Sequence, residues 1–95
     1  MSLSNIFTSN LPKIDLHGLD RDTARVFIND FINDNLKQKK ELFVIIHGIG
    51  SGILKDTTHK TLRDNKKVKE FQIDFYNEGS TIVRLKIWLS FIFMV

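Results

Sequence analysis

The spacing of apolar and polar residues changes from segment to segment, and each spacing predicts an element. From Lys13 to His17 the two kinds alternate, which is typical of a short strand. The next apolar residues step by three, four and one, as on the core-facing side of a helix that Asp20 or Asp22 caps. These helical positions are Ala24, Phe27, Ile28, Phe31, Ile32 and Leu36. The pattern therefore predicts a strand followed by an amphipathic helix.

The second half of the chain repeats this order. Residues 42–46 are uninterrupted apolar sequence rich in β-branched side chains, which predicts a strand at the centre of a sheet. Residues 53 to about 65 have a thin helical stripe made of Leu54, Thr58, Thr61 and Leu62. Two alternating stretches then predict a pair of strands, with apolar positions Phe71, Ile73 and Phe75, then Val83, Leu85 and Ile87. Residues 77–80 between them predict a hairpin turn.

The predicted element order is βαβαββ, and its length suits one small domain. The first two strands should be parallel, because a helical crossover joins them. Since three of the strands are apolar on one face only, both helices should cover that same face and leave the other face open. We therefore expect an α/β fold, a two-layer sandwich with a four-stranded mixed sheet. The 95 residues allow a single hydrophobic core.

Composition restricts the class of protein further. The chain contains no cysteine, which excludes a disulfide framework and a thiolate metal site, and residues 1–10 lack the features of a secretion signal. We expect a cytoplasmic protein. The net charge of +3 is concentrated between Lys55 and Lys69, where six residues are basic and two acidic.

Two strand ends carry the candidate chemistry. One is Asp15-Leu16-His17-Gly18, and the other is His47 followed by the glycine-rich residues 48–52. Parallel strands place their carboxyl ends at one edge of a sheet, so both ends should meet there. Histidine takes and gives protons near neutral pH, and Asp15 is close enough along the strand to orient the imidazole of His17. The alternative is structural, with His17 bonded to a neighbouring loop and Asp15 capping a turn.

The glycine-rich segment predicts a site for phosphate. It leads directly into the second helix, so free amides and the positive helix end would face an anion in the crevice. The spacing matches neither a P-loop nor the dinucleotide fingerprint.

A row of basic side chains on the second helix predicts contact with a nucleic-acid backbone. Lys55, His59, Arg63 and Lys66 are spaced by four, four and three residues and form one ridge. Such contacts supply affinity without reading sequence. The nucleic-acid-binding candidates are His59, Lys60, Arg63, Lys66, Lys67 and, on the open face of the sheet, Arg84. The alternative is an ordinary solvated helix face.

No permanently bound metal is expected. Three scattered histidines without cysteine match no usual zinc spacing. Mg²⁺ or another divalent ion stays open, because one or two carboxylates such as Asp15 can hold it together with substrate phosphates.

Three ordered motifs resemble the Smr (small MutS-related) domain family over residues 11–87. They are Asp15-Leu16-His17-Gly18, then His47-Gly48-x-Gly50-Ser51-Gly52-x-Leu54-Lys55, then Gly79-Ser80-Thr81-x-Val83. The family patterns read Asp-Leu-His-Gly, then His/Thr-Gly-Lys-Gly-x-Gly-x-Leu-Arg, then Gly-Gly-x-Gly-Ala-Thr-x-Val. The resemblance is to the stand-alone, single-domain bacterial type.

This resemblance implies a fold similar to the C-terminal domain of a translation initiation factor, and nucleic-acid binding with endonuclease activity. Family members nick DNA or cleave messenger RNA on stalled or collided ribosomes. The implied catalytic residues are Asp15 and His17, to which we add His47, and the phosphate-binding residues are Gly48, Gly50, Ser51, Gly52 and Lys55. The chain departs from the family pattern at three places: Ile49 replaces the motif lysine, Lys55 the arginine, and Tyr76-Asn77 the paired glycines.

The leading hypothesis is phosphodiester cleavage, with RNA slightly favoured over DNA, in ribosome rescue or in DNA repair or recombination. A non-catalytic module that binds nucleic acid or the ribosome is the main alternative, and a small-molecule phosphate binder is a third. Residues 88–95 form an apolar tail, far below the ~20 residues of a transmembrane helix. We expect no membrane span, and self-association of the chain through this tail. Residues 1–10 are interpreted as an N-terminal extension.

Overall fold

The structure, a computed structural model, describes residues 2–3 and 6–86, and these form a four-stranded sheet with two helices. The first half contains strand β1 (Lys13–Asp15), helix α1 (Arg21–Lys37) and strand β2 (Leu42–Ile46). The second half contains helix α2 (Ile53–Asp64), strand β3 (Val68–Asp74) and strand β4 (Asn77–Leu85). The predicted α/β class and the order βαβαββ are confirmed.

The sheet is mixed, with strand order β1-β2-β4-β3. Strand β1 pairs with β2 in parallel, whereas β4 is antiparallel to both of its neighbours. Strand β2 therefore lies inside the sheet, as its unbroken apolar sequence predicts. The carboxyl ends of β1 and β2 and the amino end of β4 lie at one edge of the sheet.

Both helices pack on one face of this sheet. Helix α1 begins where the Asp20 carboxylate accepts a hydrogen bond from the Thr23 amide at 2.8 Å. The core on this face consists of Leu16, Ala24, Ile28, Ile32, Leu36, Phe43, Ile45, Leu62, Val83 and Leu85. The predicted core position Phe27 is wrong, because its side chain is 45% exposed. Asn35 is buried instead, and its amide nitrogen donates to the Phe31 carbonyl at 2.8 Å.

The opposite face of the sheet is not open, contrary to the prediction. Leu3 is 1% exposed and packs with Val44 and Ile82, and Ile6 and Leu11 lie against the same small cluster. The cause lies in the sequence of β2, which is apolar throughout and therefore places apolar side chains on both faces of the sheet. The second face must also be shielded from water. Leu3, Ile6 and Leu11 therefore contribute to the packing of this sheet face.

The β3–β4 turn lies at Phe75 and Tyr76, and the predicted turn at residues 77–80 is wrong. The strand register shifts between Ile73 and Asp74, which brings Asp74 opposite Asn77 and closes the hairpin two residues earlier. The Asp74 carboxylate accepts from the Tyr76 amide at 3.0 Å and holds the turn.

The predicted apolar tail at 88–95, and Ile87 of the predicted last strand, lie outside the described residues. Within the part of the chain that the structure describes, no helix is long and apolar enough to cross a membrane.

Leu3→Ala is expected to lower the free energy of unfolding by about 2 to 3 kcal/mol, because it removes a buried side chain from a small cluster. Urea denaturation followed by circular dichroism measures this change. Phe7→Ala is the matched control, since this side chain is 85% exposed and its loss should change the stability by less than about 0.5 kcal/mol. Equal stabilities of the two variants would show that the packing of Leu3 does not contribute to the free energy of unfolding.

Candidate functional site

The two histidine junctions lie side by side at one edge of the sheet, as predicted. Asp15 is the register partner of Ile46, and the Leu16 amide donates to the Ile46 carbonyl at 2.9 Å. His17 and His47 therefore leave adjacent parallel strands together. We call the edge formed by residues 15–18, 47–52 and 77–79 the rim.

The first junction turns sharply, and both of its polar side chains are exposed. An oxygen of the Asp15 carboxylate accepts from the backbone amide of His17 at 2.9 Å. This bond fixes the backbone of His17, whereas the sequence had suggested a bond to its imidazole. Gly18 follows with φ +81°, a conformation that favours glycine. The Asp15 carboxylate therefore stabilises the turn that presents His17 to solvent.

The second junction forms a glycine loop that ends at the first residue of α2. Gly52 caps this helix with φ +84° and without a side-chain hydrogen bond. The amides of the first helical turn have no acceptor inside the helix, and the helix dipole adds partial positive charge there. Within the described chain, Ser51 offers Ile53 only a long contact of 3.5 Å. The end of α2 at the rim is thus suited to an anion.

The third motif closes the rim through a contact between two backbones. The Gly79 carbonyl accepts from the amides of both His47 and Gly48, each at 2.9 Å. A Cβ atom on Gly79 would lie 3.4 Å from the Gly48 Cα and 3.2 Å from the Asn77 side-chain oxygen. A larger residue at position 79 would therefore crowd the glycine loop.

His47 points into the core and is linked to His59 through Thr81. The His47 side chain is 5% exposed, and its Nδ1 lies 2.9 Å from the Gly48 carbonyl. Its Nε2 lies 2.8 Å from the Thr81 hydroxyl, and the Nε2 of His59 reaches the same hydroxyl at 2.8 Å. All three side chains therefore form one hydrogen-bonded unit beneath the glycine loop.

The chemistry of the partners determines the direction of these bonds. A carbonyl only accepts, so His47 Nδ1 donates to Gly48, and the Nε2 of neutral His47 accepts from the Thr81 hydroxyl. That hydroxyl has one hydrogen, so it accepts from the Nε2–H of His59. In neutral His47 both ring nitrogens are therefore engaged within the protein. The His47 side chain is therefore bonded to the glycine loop and to Thr81 beneath the surface, and its predicted catalytic role stays a prediction.

The surroundings lower the pKa of both histidines. Burial is the largest cause for His47, the charge of Lys55 acts in the same direction, and the bond to the Gly48 carbonyl opposes them. For His59 burial again leads, followed by His47, Lys55 and Arg63, with Asp56 opposing. Both rings are therefore held in their neutral forms near pH 7. The side chain of Lys55 lies close enough to the rim to act on both.

Two predicted nucleic-acid contacts have other positions in the structure. His59 does not lie on an exposed ridge, because its ring is half-buried against Thr81 and Phe71, with 5.1 Å between the ring centroids of His59 and Phe71. The Arg84 guanidinium lies 3.1 Å from Glu70 and 3.4 Å from Glu41, and its side chain is 12% exposed. These carboxylates therefore neutralise the charge of Arg84, and the role of His59 and Arg84 as nucleic-acid contacts stays a prediction.

Lys60, Arg63, Lys66 and Lys67, in α2 and the loop that follows it, are exposed, whereas Lys55 is half-buried. The Lys60 ammonium pairs with Asp64 at 3.2 Å, a solvated pair of small energy, and Lys67 donates to Asn33 at 2.7 Å. Lys60 and Lys66 also line a groove of about 750 Å³ between α1 and α2. Arg63 is exposed near the end of α2. Only some of the basic residues outside the rim therefore lie along this groove.

Thr81 is the site residue that sequence reasoning missed. It is fully buried on the helix-covered face of β4, where the register places it beside Ile45. The signal was present, because the alternation of β4 puts this polar residue in line with Val83 and Leu85. A polar side chain on an apolar strand face needs a partner.

The described residues contain no group of three or more His, Asp or Glu side chains that could hold a metal ion. A divalent ion at the rim would therefore depend on one or two carboxylates and on oxygens from a ligand. Asp15 is the carboxylate of the rim that is exposed beside His17.

The fold and the rim define an α/β domain with a glycine-rich loop at a helix N-terminus beside an exposed histidine. The family model for the Smr domain matches residues 14–86. The chain belongs to the Smr domain family.

Relatives and solved structures agree with this assignment. The chain is 39% identical over 77 residues to "Endonuclease MutS2" of Streptococcus mutans, a match that covers 78% of this chain and 10% of that protein. It is 36% identical to the protein of the same name from Caldanaerobacter subterraneus subsp. tengcongensis, again over 78% of this chain and 10% of the relative. The chain thus spans about a tenth of the length of these relatives.

Two solved structures share the fold. The Smr domain of Thermus thermophilus MutS2 has a TM-score of 0.78 at 24% identity, with 80% of this chain and 99% of that chain covered. YdaL, a stand-alone small MutS-related protein from Escherichia coli, has a TM-score of 0.73 at 20% identity, with 77% and 63% covered. At these identities the likeness shows the fold alone.

The stability of the protein should fall as the pH is lowered below about 6.5. Because the folded state lowers the pKa of His47 and His59 from 6.5, the unfolded chain binds more protons as acidity increases, and the contribution is complete only above that value. Urea denaturation at several pH values between about 7 and about 5 measures this effect. His59→Gln keeps a donor for Thr81 and should make the pH dependence shallower. A stability that stays constant or rises over this range in the wild type would contradict the assignment.

Proposed function

We propose that this domain binds nucleic acid and cleaves its phosphodiester backbone, with RNA favoured over DNA. The observation that carries this proposal is the meeting of an exposed His17 and an anion-binding glycine loop at one rim. One group supplies acid-base chemistry near neutral pH, and the other supplies a place for a phosphate. The name "Endonuclease MutS2" of the relatives supports the proposal, although the chain matches about a tenth of their length.

In the proposed mechanism His17 is the general base. It removes the proton from a ribose 2′-hydroxyl, whose oxygen attacks the adjacent phosphorus while the bond from phosphorus to the 5′-oxygen breaks. The products are a cyclic phosphate and a 5′-hydroxyl, which takes up a proton. For DNA, a water molecule would replace the 2′-hydroxyl as nucleophile. RNA is favoured because internal attack requires from the protein only a base and an anion cradle.

The glycine loop and Lys55 stabilise the transition state in this proposal. Amides at residues 50–52 and in the first turn of α2 donate to the phosphate oxygens, on which negative charge increases during attack. Lys55 adds a positive charge at the same helix end. Asp15 positions the backbone of His17, and the unit of His47, Thr81 and His59 holds the loop from below. Ser51 lies exposed within the loop as a further donor to the phosphate.

A non-catalytic module is the second candidate, and Ile49 is the observation that favours it. This side chain is 65% exposed at the loop position where the family motif has lysine. The rim therefore has one cation fewer with which to stabilise a developing charge, while its amides still suit a resting phosphate. In this version the domain binds structured nucleic acid or the ribosome in the cytoplasm, with help from the basic residues 60–67.

His17→Ala is expected to remove cleavage and to leave binding unchanged within about twofold, because the phosphate-binding groups stay in place. Cleavage of a labelled RNA is followed on a gel, and binding is followed by fluorescence anisotropy. A matched RNA with a single 2′-deoxy linkage should resist cleavage at that linkage only. If this linkage is cut as fast as in full RNA, attack by the 2′-hydroxyl is wrong. If the wild type cuts no RNA or DNA and yet binds both, the non-catalytic module is correct.

Lys55→Gln is expected to weaken binding and to reduce the slope of log affinity against log salt by about 1, the effect of one lost phosphate contact. Anisotropy titrations at several salt concentrations measure both quantities. Lys40→Gln is the matched control, since this exposed lysine lies in the loop after α1. Its slope should equal that of the wild type, and an equal slope for Lys55→Gln would remove Lys55 from the phosphate site.

A further inference from the structure

Two adjacent aromatic side chains are exposed at the tip of the β3–β4 hairpin. Phe75 is 76% exposed and Tyr76 is 77% exposed. Their ring centroids lie 5.1 Å apart, with the ring planes at 80° to each other. In an edge-to-face arrangement the two rings do not cover each other's faces fully, which agrees with the high exposure of both side chains. The pair thus presents flat apolar surface to solvent.

This aromatic pair lies next to the rim. Asp74 is paired with Asn77 across the turn, and Gly79 is bonded to the amides of His47 and Gly48. Two residues of strand β4 separate Tyr76 from Gly79, so the two Cα atoms are about 10 Å apart along the backbone. The rings therefore lie at the same end of the sheet as the glycine loop, to which Gly79 is bonded.

Side-chain hydrogen bonds hold the turn in place. Asp74 is 7% exposed, and its carboxylate accepts from the Tyr76 amide at 3.0 Å. On the other side of the turn, the Asn77 side chain accepts from the Gly79 amide at 3.0 Å. Because the backbone is already ordered, a ligand that contacts the rings does not have to order the turn itself.

Apolar side chains are exposed at the rim, one of them at a position where the family motif has a lysine. Ile49, in the place of the motif lysine, and Ile53, at the start of α2, are 65% and 53% exposed. Tyr76 and Asn77 stand where the family motif has paired glycines. Glycine has no ring, so Tyr76 adds an aromatic ring at a position where this motif has none. Exposed apolar side chains therefore lie both on the glycine loop with the start of α2 and at the tip of the hairpin.

A ligand that fits both features has a phosphate and a flat apolar group close together. A nucleotide in a single strand is such a ligand, because its base is exposed and every base has a face that can stack on an aromatic ring. In a duplex the bases are stacked on one another, and the backbone phosphates offer nothing to the rings. A phosphate cradle alone does not distinguish the two forms.

We propose that Phe75 and Tyr76 stack on an unpaired base next to the phosphate held at the glycine loop, and that they thereby select single-stranded nucleic acid. The inference rests on the proposed nucleic-acid binding at the rim and adds the substrate class. The rings are positioning residues, since they hold the strand and not the reacting atoms.

The test compares the double variant Phe75→Ala/Tyr76→Ala with the wild type in anisotropy titrations of a short labelled single-stranded RNA. Loss of one stacked base should weaken binding about 5- to 150-fold. The slope of log affinity against log salt should not change, because no charge is removed. Binding of a duplex of the same sequence should stay the same. An RNA with abasic sugars should bind the wild type as weakly as normal RNA binds the double variant.

Three controls keep the result specific. Phe7→Ala removes another exposed ring, from the N-terminal segment, and should bind like the wild type. Tyr76→Phe keeps the ring and should also retain full affinity. Circular dichroism of the double variant should match the wild type, because both side chains are exposed.

The possible failures are distinguishable. Equal single-strand affinities of the double variant and the wild type overturn the stacking proposal and leave nucleic-acid binding intact. If the wild type shows no salt-dependent binding of nucleic acid, both proposals are wrong. If the double variant binds RNA normally and differs from the wild type only in sedimentation, the rings form a protein interface and the inference is wrong.

Discussion

The parallel pairing of β1 with β2 is the constraint on which the candidate site depends. These strands are three and five residues long, yet their register places Asp15 opposite Ile46 and brings two junctions thirty residues apart to one edge. The helix between them covers one face of the sheet and buries Ile28 and Ile32 there. The short first strand pairs with β2 and also packs Ile14 against this core. Without this pairing, His17 and the glycine loop would have no common surface.

A buried polar unit supports the same edge from inside the core. Thr81 is fully buried, and one hydroxyl joins the rings of His47 and His59. A polar group in such a place is costly unless every partner is satisfied, and here the chain of donors ends at the Gly48 carbonyl. The unit therefore couples α2, β4 and the glycine loop. Protonation of either ring adds an N–H donor and so changes the hydrogen bonds that the ring can make. A fall in pH is therefore expected to affect the hydrogen bonds that hold the glycine loop.

The positions of the charged side chains limit which residues are available to contact a ligand. Arg84 is paired with two carboxylates and the His59 ring is half-buried, whereas the charge of Lys55, in the first turn of α2, acts on both His47 and His59. At the same time Ile49, Phe75 and Tyr76 expose apolar surface around the rim. In the proposed mode of binding, a ligand therefore contacts backbone amides, one lysine and aromatic rings, and not a purely basic surface.

The sequence by itself determined the elements, the class of the fold and the family, because these depend on local periodicity and on ordered motifs. An unbroken apolar run located β2, helical stripes located α1 and α2, and the parallel order of β1 and β2 placed both junctions at one edge. The tertiary structure alone decided what each polar side chain contacts. Leu3 covers a sheet face that pattern analysis left open, and the register shift at Asp74 moved the turn to Phe75 and Tyr76. His47 and His59 share Thr81 because strand pairing and helix packing bring together residues 22 and 34 positions apart. Such contacts depend on distances across the core, which no local pattern contains.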